Sequence, residues 1–390
     1  MRILFLVSSM HGGGAERVAA TLANAWSRRG DEVTLVCCYS GRGSCLQHLD
    51  PGVKLLWLAD RLCGPAWLRP LAKILALRKL ARELQPDRVL SFLTNVNVTA
   101  LLATRGLGLP VVVSERTDPA HSVNLEPVLR WLRRWTYPWA HRVVVQTQQS
   151  IPHLQQVAPG VSRIVAIPNP LPDGLPEPRL AEPAEGRRRL MALGRFNPVK
   201  QFDRLIEVFA GLADSCPDWD LWIWGDGAQR AACLQRVAAL GLTDRIHLPG
   251  FSQTPWTDLA TGHGFVLNSR VEGFPNALLE AMALGLPCVA VDCPSGPSEL
   301  TQAGQVATLV PLGDEAALAQ ALQRLMQASP SDRETWGRTA AASVRARYGL
   351  DAVVQAWHES GYGAVPADCS VPDESEPLAS GEAGEQDTGR

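Results

Sequence analysis

Short apolar runs alternate with stretches of helical periodicity along most of the chain. Ile3–Ser8 reads as a strand, Ala15–Arg29 as a helix and Val33–Cys38 as a strand, and Arg88–Phe92, Val111–Ser114 and Arg142–Gln146 continue the series. Continuous β-branched runs separated by helical patterns predict βαβ units and a parallel sheet covered on both faces. The rhythm then breaks at Pro168, Pro170, Pro172, Pro176, Pro178 and Pro183, a density that forbids regular helix or central strand and marks a linker. It restarts with a strand at Arg189–Gly194, a helix at Gln201–Ala213, a strand at Leu221–Trp224, a helix at Gln229–Leu240 and a strand at Arg245–Leu248. Gly264–Leu267, Pro275–Leu284 and Pro287–Val291 follow, and Asp332–Tyr348 and Asp351–Tyr362 read as closing helices.

The expected fold class is therefore α/β, with two doubly wound parallel-sheet domains facing a cleft. Such folds bind ligands at the carboxyl ends of their strands. The boundaries read as 1–168, a linker at 169–187, 188–345, a closing helix at 346–363 and a tail at 364–390. The tail has seven acidic residues, a single base in Arg390 and few large apolar side chains, the composition of a disordered segment.

A length of 390 residues fits two domains of ~100–200 each. The net charge of −2 conceals an asymmetry: residues 1–168 carry 20 Lys/Arg against 10 Asp/Glu, and the remainder 17 against 29. A basic first half suits an anionic partner, either a membrane surface or a phosphorylated ligand. An acidic second domain lining the cleft, with no recognisable module, argues against nucleic acid. The apolar stretch after Arg2 is too short for a signal peptide, and no run approaches the ~20 residues of a spanning helix. Nine cysteines without a Cys-x-x-Cys pair suit reduced thiols and a cytoplasmic setting.

Three stretches carry candidate chemistry. Gly12, Gly13 and Gly14 follow the first strand and open a helix, where backbone amides favour an anion. Arg17 stands where a dinucleotide fingerprint needs glycine, and no acid ends the second strand, which argues against a nicotinamide dehydrogenase. Gly194, Arg195 and Lys200 place two cations beside a helix start, either as a diphosphate clamp or as surface charges. The strongest stretch runs from Glu272 through Gly273, Phe274, Pro275 and Asn276 to Glu280. An exposed loop at Glu272–Pro275 would offer free amides at a helix start. Glu280, inside an apolar helix, either meets donors such as sugar hydroxyls or sits on a solvated face.

The spacing of Glu272 and Glu280 resembles the Glu-x7-Glu motif of the GT-B glycosyltransferases of retaining family 4. Gly13–Val18 looks like the polysaccharide- and glycan-assembly members of that family. So do Ile167–Pro170, Gly194–Phe196 with Lys200, Gly225–Gly227 and Cys293–Glu299, in the right order along residues 1–362. The resemblance implies a sugar transferase using a nucleotide sugar, a UDP-sugar first, with a glycan or polyprenyl-diphosphate-linked acceptor and no cofactor or metal. It implies that Arg195, Lys200 and Glu272 are catalytic. Gly14, Gly194, Gly225, Gly273, Phe274, Pro275, Asn276 and Glu280 would bind the donor, with Glu280 on the ribose. Gly12, Gly13, Glu115 and Arg116 would meet the acceptor. The sequence departs from many members at Val113–Pro119, where they carry a histidine. There Arg116 either contacts substrate or forms an ion pair with Glu115 or Asp118. The expected alternatives to a transferase are a catalytically silent nucleotide-sugar-binding partner subunit and a GT-B-type epimerase.

Val128, Trp131, Leu132 and Trp135 share one helical stripe, with Arg130, Arg133 and Arg134 opposite. Either this helix meets an anionic membrane as a peripheral contact on the cytoplasmic face, or its tryptophans are core and its arginines face water.

Overall fold

In the computed structural model, the described residues are 1–362 apart from 42, 44, 46, 63, 64, 122–124, 180 and 183–185. Pro183 and the acidic tail from 364 onward lie outside them. The first half holds strands β1 (Arg2–Val7), β2 (Glu32–Cys37), β3 (Val53–Trp57), β4 (Arg88–Phe92), β5 (Val111–Ser114), β6 (Arg142–Val145) and β7 (Ile164–Ala166). Between them run helices α1 (Gly14–Arg28), α2 (Arg69–Leu84), α3 (Thr94–Thr104), α4 (Pro127–Thr136) and α5 (Ser150–Val157). The strands form one sheet in the order β3-β2-β1-β4-β5-β6-β7, every pair parallel.

The second half repeats the scheme with β8 (Arg188–Leu193), β9 (Trp219–Trp224), β10 (Ile246–Gly250), β11 (Gly264–Leu267), β12 (Cys288–Asp292) and β13 (Thr308–Pro311). Its sheet order is β10-β9-β8-β11-β12-β13, again all parallel. Helices α6 (Phe202–Leu212), α7 (Arg230–Ala239), α8 (Pro255–Ala260), α9 (Asn276–Ala283), α10 (Pro297–Thr301) and α11 (Glu315–Gln327) cover it. Two doubly wound parallel domains are what the pattern predicted. The strands it omitted, β3, β7 and β13, are short and lie at or beside sheet edges. There a strand is covered less fully and its apolar signal weakens.

The two halves are tied at the back by two chain crossings. Beyond α12 (Pro330–Tyr348) the chain turns at Gly349 into α13 (Leu350–Ala356). That helix does not belong to the nearer domain. Val353, Val354 and Trp357 sit in the first domain's core, and Trp357 meets the edge of Trp26 at 6.1 Å between ring centroids. The linker runs alongside, the Leu171 N–H donating to the Tyr348 carbonyl at 2.7 Å. Arg333, fully buried, donates to both oxygens of Glu182 at 2.6 and 2.8 Å. The single closing helix expected over Asp351–Tyr362 is instead α13 followed by a wider turn of π type at Trp357–Tyr362.

No helix among the described residues is long and apolar enough to cross a membrane.

Candidate active site

The loops after β1 and β5 of one sheet meet the loop after β11 of the other. Two glycines lie at the contact. A Cβ on Gly273 would lie 2.5 Å from the Arg116 carbonyl oxygen and 2.7 Å from the Thr117 Cα, so only hydrogen fits where the halves touch. Gly14 faces the Asn276 amide in the same way, at 3.0 Å.

On the second half's wall, Arg195 follows β8 and is exposed. Among the described residues its side chain has no ion-pair or hydrogen-bond partner. The Lys200 side chain lies along Gly194, where a Cβ would be 3.1 Å from its Cε. Its ammonium donates to Glu272 Oε1 at 2.5 Å. Gly225 supports this strand end from behind. At φ +135° a Cβ there would lie 1.8 Å from the Gly194 carbonyl oxygen. Lys200 and Glu272 thus pair beside the end of β8, which Arg195 directly follows.

The loop expected to be exposed at Glu272–Pro275 is not. Phe274 and Pro275 are buried, because Gly273 rests on the opposite domain and Gly296 closes on Pro275. Its amides are partly used already, the Glu272 N–H donating to the Pro294 carbonyl at 2.7 Å. Glu280, 1% exposed, is not on a solvated face. It accepts from the Arg17 guanidinium across the interface and from Trp256 Nε1 at 3.0 Å. Burial raises its pKa, and Arg17 and Trp256 pull it back only partly.

On the first half's wall, Gly12 is exposed and Gly13 caps α1 with extended backbone at φ −109°. A Cβ on Gly13 would collide with the Glu16 carboxylate, which Ser9 Oγ holds at 2.9 Å. Glu115, 1% exposed, accepts from Tyr137 Oη at 2.5 Å and from Thr94 Oγ1 at 2.8 Å, with Arg133 at 3.9 Å. Burial raises its pKa despite these partners. Arg116 makes neither of the ion pairs that the sequence allowed, since no carboxylate among the described residues pairs with it. Its guanidinium donates to Asn169, lies 4.1 Å from the Phe92 ring centroid and leaves Nε without a partner. Burial brings its pKa down to about 9. Without a carboxylate partner, only Asn169, Ser114 and the Phe92 ring offset the cost of burying this cation.

Sequence reasoning gave no role to five residues here. Arg17, used to reject a dinucleotide site and otherwise only as part of Gly13–Val18, is the cross-domain partner of Glu280. Trp256 carried no signal. Asn169 links Arg116 to the second half by donating to Asn276 Oδ1 at 2.6 Å. Ser150 and Ser295 bridge the interface at 3.0 Å. Asn169 lies within Ile167–Pro170, a stretch singled out by resemblance alone.

The helix α4 corrects one of its two expected orientations. Its tryptophans are not core. Val128, Trp131 and Trp135 are 67%, 60% and 58% exposed, and Arg133 is buried, donating to the Pro119 carbonyl at 3.3 Å. Leu129, Leu132, Arg133 and Thr136 form the inward face, four positions at helical spacing.

Comparison with known proteins adds the following. Residues 12–173 match the family model described as Glycosyltransferase Family 4, and residues 187–328 that described as Glycosyl transferases group 1. An exopolysaccharide phosphotransferase of Streptomyces coelicolor is 32% identical over 73% of this chain, and the match spans 27% of that protein's length. An undecaprenol-linked-glycan α-1,4-N-acetyl-D-galactosaminyltransferase of Campylobacter jejuni is 26% identical over 84% of this chain and 89% of its own. Anabaena HepE, solved with UDP and glucose, superposes with a TM-score of 0.76 at 19% identity, covering 92% of this chain and 98% of that one.

Proposed function

This chain belongs to the GT-B glycosyltransferases, with a family 4 domain followed by a group 1 domain, and from that premise we propose its reaction. It moves a hexose or N-acetylhexosamine, with retention, from a nucleotide sugar, a UDP-sugar first, to a glycan or polyprenyl-diphosphate-linked acceptor in cell-surface polysaccharide assembly. One observation carries the reading. Exposed Arg195 has no partner among the described residues, and it stands beside a Lys200–Glu272 pair at a strand end.

The departure of a nucleoside diphosphate builds negative charge. Arg195 neutralises it, and Lys200 joins when the diphosphate draws it from Glu272, so the transfer proceeds without a metal. Glu272, released, accepts hydrogen bonds from donor-sugar hydroxyls. Glu280 meets the ribose only by sharing or yielding Arg17. Arg116 supplies a cation to the acceptor side, as a diphosphate-linked acceptor would need. That the Campylobacter relative acts on an undecaprenol-linked glycan, and that HepE is solved with UDP, support these choices of acceptor and donor.

The exposed Val128, Trp131 and Trp135, flanked by exposed Arg130 and Arg134, support peripheral contact of α4 with an anionic, cytoplasm-facing membrane. Trp131→Ala with Trp135→Ala is expected to lower binding to anionic vesicles and leave release from a soluble acceptor assay unchanged.

The central test incubates the protein with UDP- and GDP-sugars, with and without lipid extract, and measures released nucleoside diphosphate. Release from one donor, stimulated by lipid and lost in Arg195→Ala, fits the proposal. Donor conversion without transfer would make the chain an epimerase, and nucleotide binding without turnover a silent partner subunit.

A further inference from the structure

Just beyond Arg116, three side chains that the transfer chemistry does not use converge on one point. Asp118 ends the loop after β5 and its side chain is wholly buried. Its Oδ1 receives His121 Nδ1 at 2.8 Å, and its Oδ2 receives His153 Nδ1, from α5, at 2.7 Å. The backbone N–H groups of Ala120 and His121 also donate to Oδ1, at 3.0 and 3.1 Å, and fix the carboxylate's orientation. The two imidazole rings stand edge to face, 5.5 Å apart. One ligand atom from each residue fits within a span of 4.8 Å.

We propose that Asp118, His121 and His153 form a binding site for a divalent transition-metal ion, with zinc as the first candidate. Two imidazole nitrogens and one carboxylate oxygen are the donor set of borderline metals, whereas magnesium and calcium take oxygen ligands. Three protein ligands leave a further coordination position. Side-chain exposures of 41% for His121 and 31% for His153 let water reach it. Without metal, each Nδ1 proton bridges to the carboxylate. On binding, each ring gives its Nδ1 lone pair to the ion, and its proton moves to Nε2 or to solvent. The backbone amides on Oδ1 are the outer contacts that keep a ligating carboxylate aimed. The site joins the loop after β5 to α5, so metal would brace the segment that carries Arg116 without touching the departing diphosphate. The proposal stands whether or not the transferase reading does.

The test uses the full chain without a histidine tag, stripped with chelator and titrated with Co(II) and then Zn(II). The expected result is one Co(II) per chain with ligand-field bands, displaced by Zn(II), and a rise in melting temperature. His121→Gln and His153→Gln should each weaken binding by more than the ~10–100-fold that losing an orienting partner costs. His48→Gln, at an exposed position, should leave it unchanged. Far-UV circular dichroism of the variants confirms that they fold. Failure of the stripped chain to take up metal saturably overturns the proposal, as does binding that survives the double His121→Gln, His153→Gln variant.

Discussion

Glu272 and Glu280 belong to one short motif, yet their surroundings are opposite. Glu272 sits before the helix, at the cleft wall, and holds a lysine of its own domain. Glu280 sits in α9, fully enclosed, and holds an arginine of the other domain. A ligand can exchange the first pair at little cost, because both partners keep some contact with water. Exchanging the second means parting the halves. The same residue type thus serves as a reachable hand at one end of the motif and as a strut at the other.

The sharpest way to probe this contrast is to remove what the two carboxylates frame. Arg195→Ala should lower turnover by ~10²–10³-fold, the usual loss for one charge-stabilising donor, while urea unfolding stays unchanged. A matching fall in stability would mean that Arg195 is structural. Next in size is Glu280→Ala, which strands Arg17 and the Trp256 indole at a buried interface. It should cost about 3 kcal/mol in chemical denaturation, the low end for breaking a buried pair because Arg17 keeps some solvent. Glu272→Gln is expected to cost less than Glu280→Ala, because the Lys200 and Glu272 side chains keep 19% and 11% of their surface in water, yet to raise the donor KM. If the two stability losses came out equal, the contrast would fail. The smallest effect is in pH dependence. Burial raises the Glu280 pKa above its ordinary 4.5. Its stabilising contribution is then complete below about 4.5 and lost as pH rises through the folded-state value. Wild type should therefore lose stability relative to Glu280→Gln over that rise, measured by thermal melts in a pH series.

The strands buried on both faces were legible, and β4, β5 and β11 begin and end where their apolar runs do. So was the loop position of Arg195 and Lys200, because both belong to one strand–loop–helix unit, whereas Glu272 meets Lys200 from 72 positions away. What stayed hidden depends on contacts distant in sequence. Arg133 turns inward because Pro119 and Glu115 await it, and nothing in the stripe of α4 reveals them. Glu280 is enclosed because Arg17, 263 positions away, reaches it. His153 is brought to Asp118 and His121 by the packing of α5, which local spacing does not encode.

The placement of α13 also bears on how the chain is made. Phe5, Trp26 and Phe92 precede the whole of the second half along the chain, and Trp357, which packs on Trp26 and Phe92, follows it. The first half therefore waits, its core unlidded, while the whole of the second half is synthesised. Domains ordinarily mature in the order of translation; here the second can finish before the first. A chain stopped just short of Trp357 would carry a complete second half attached to an open, adhesive first one, and would be a natural client for chaperones or proteases.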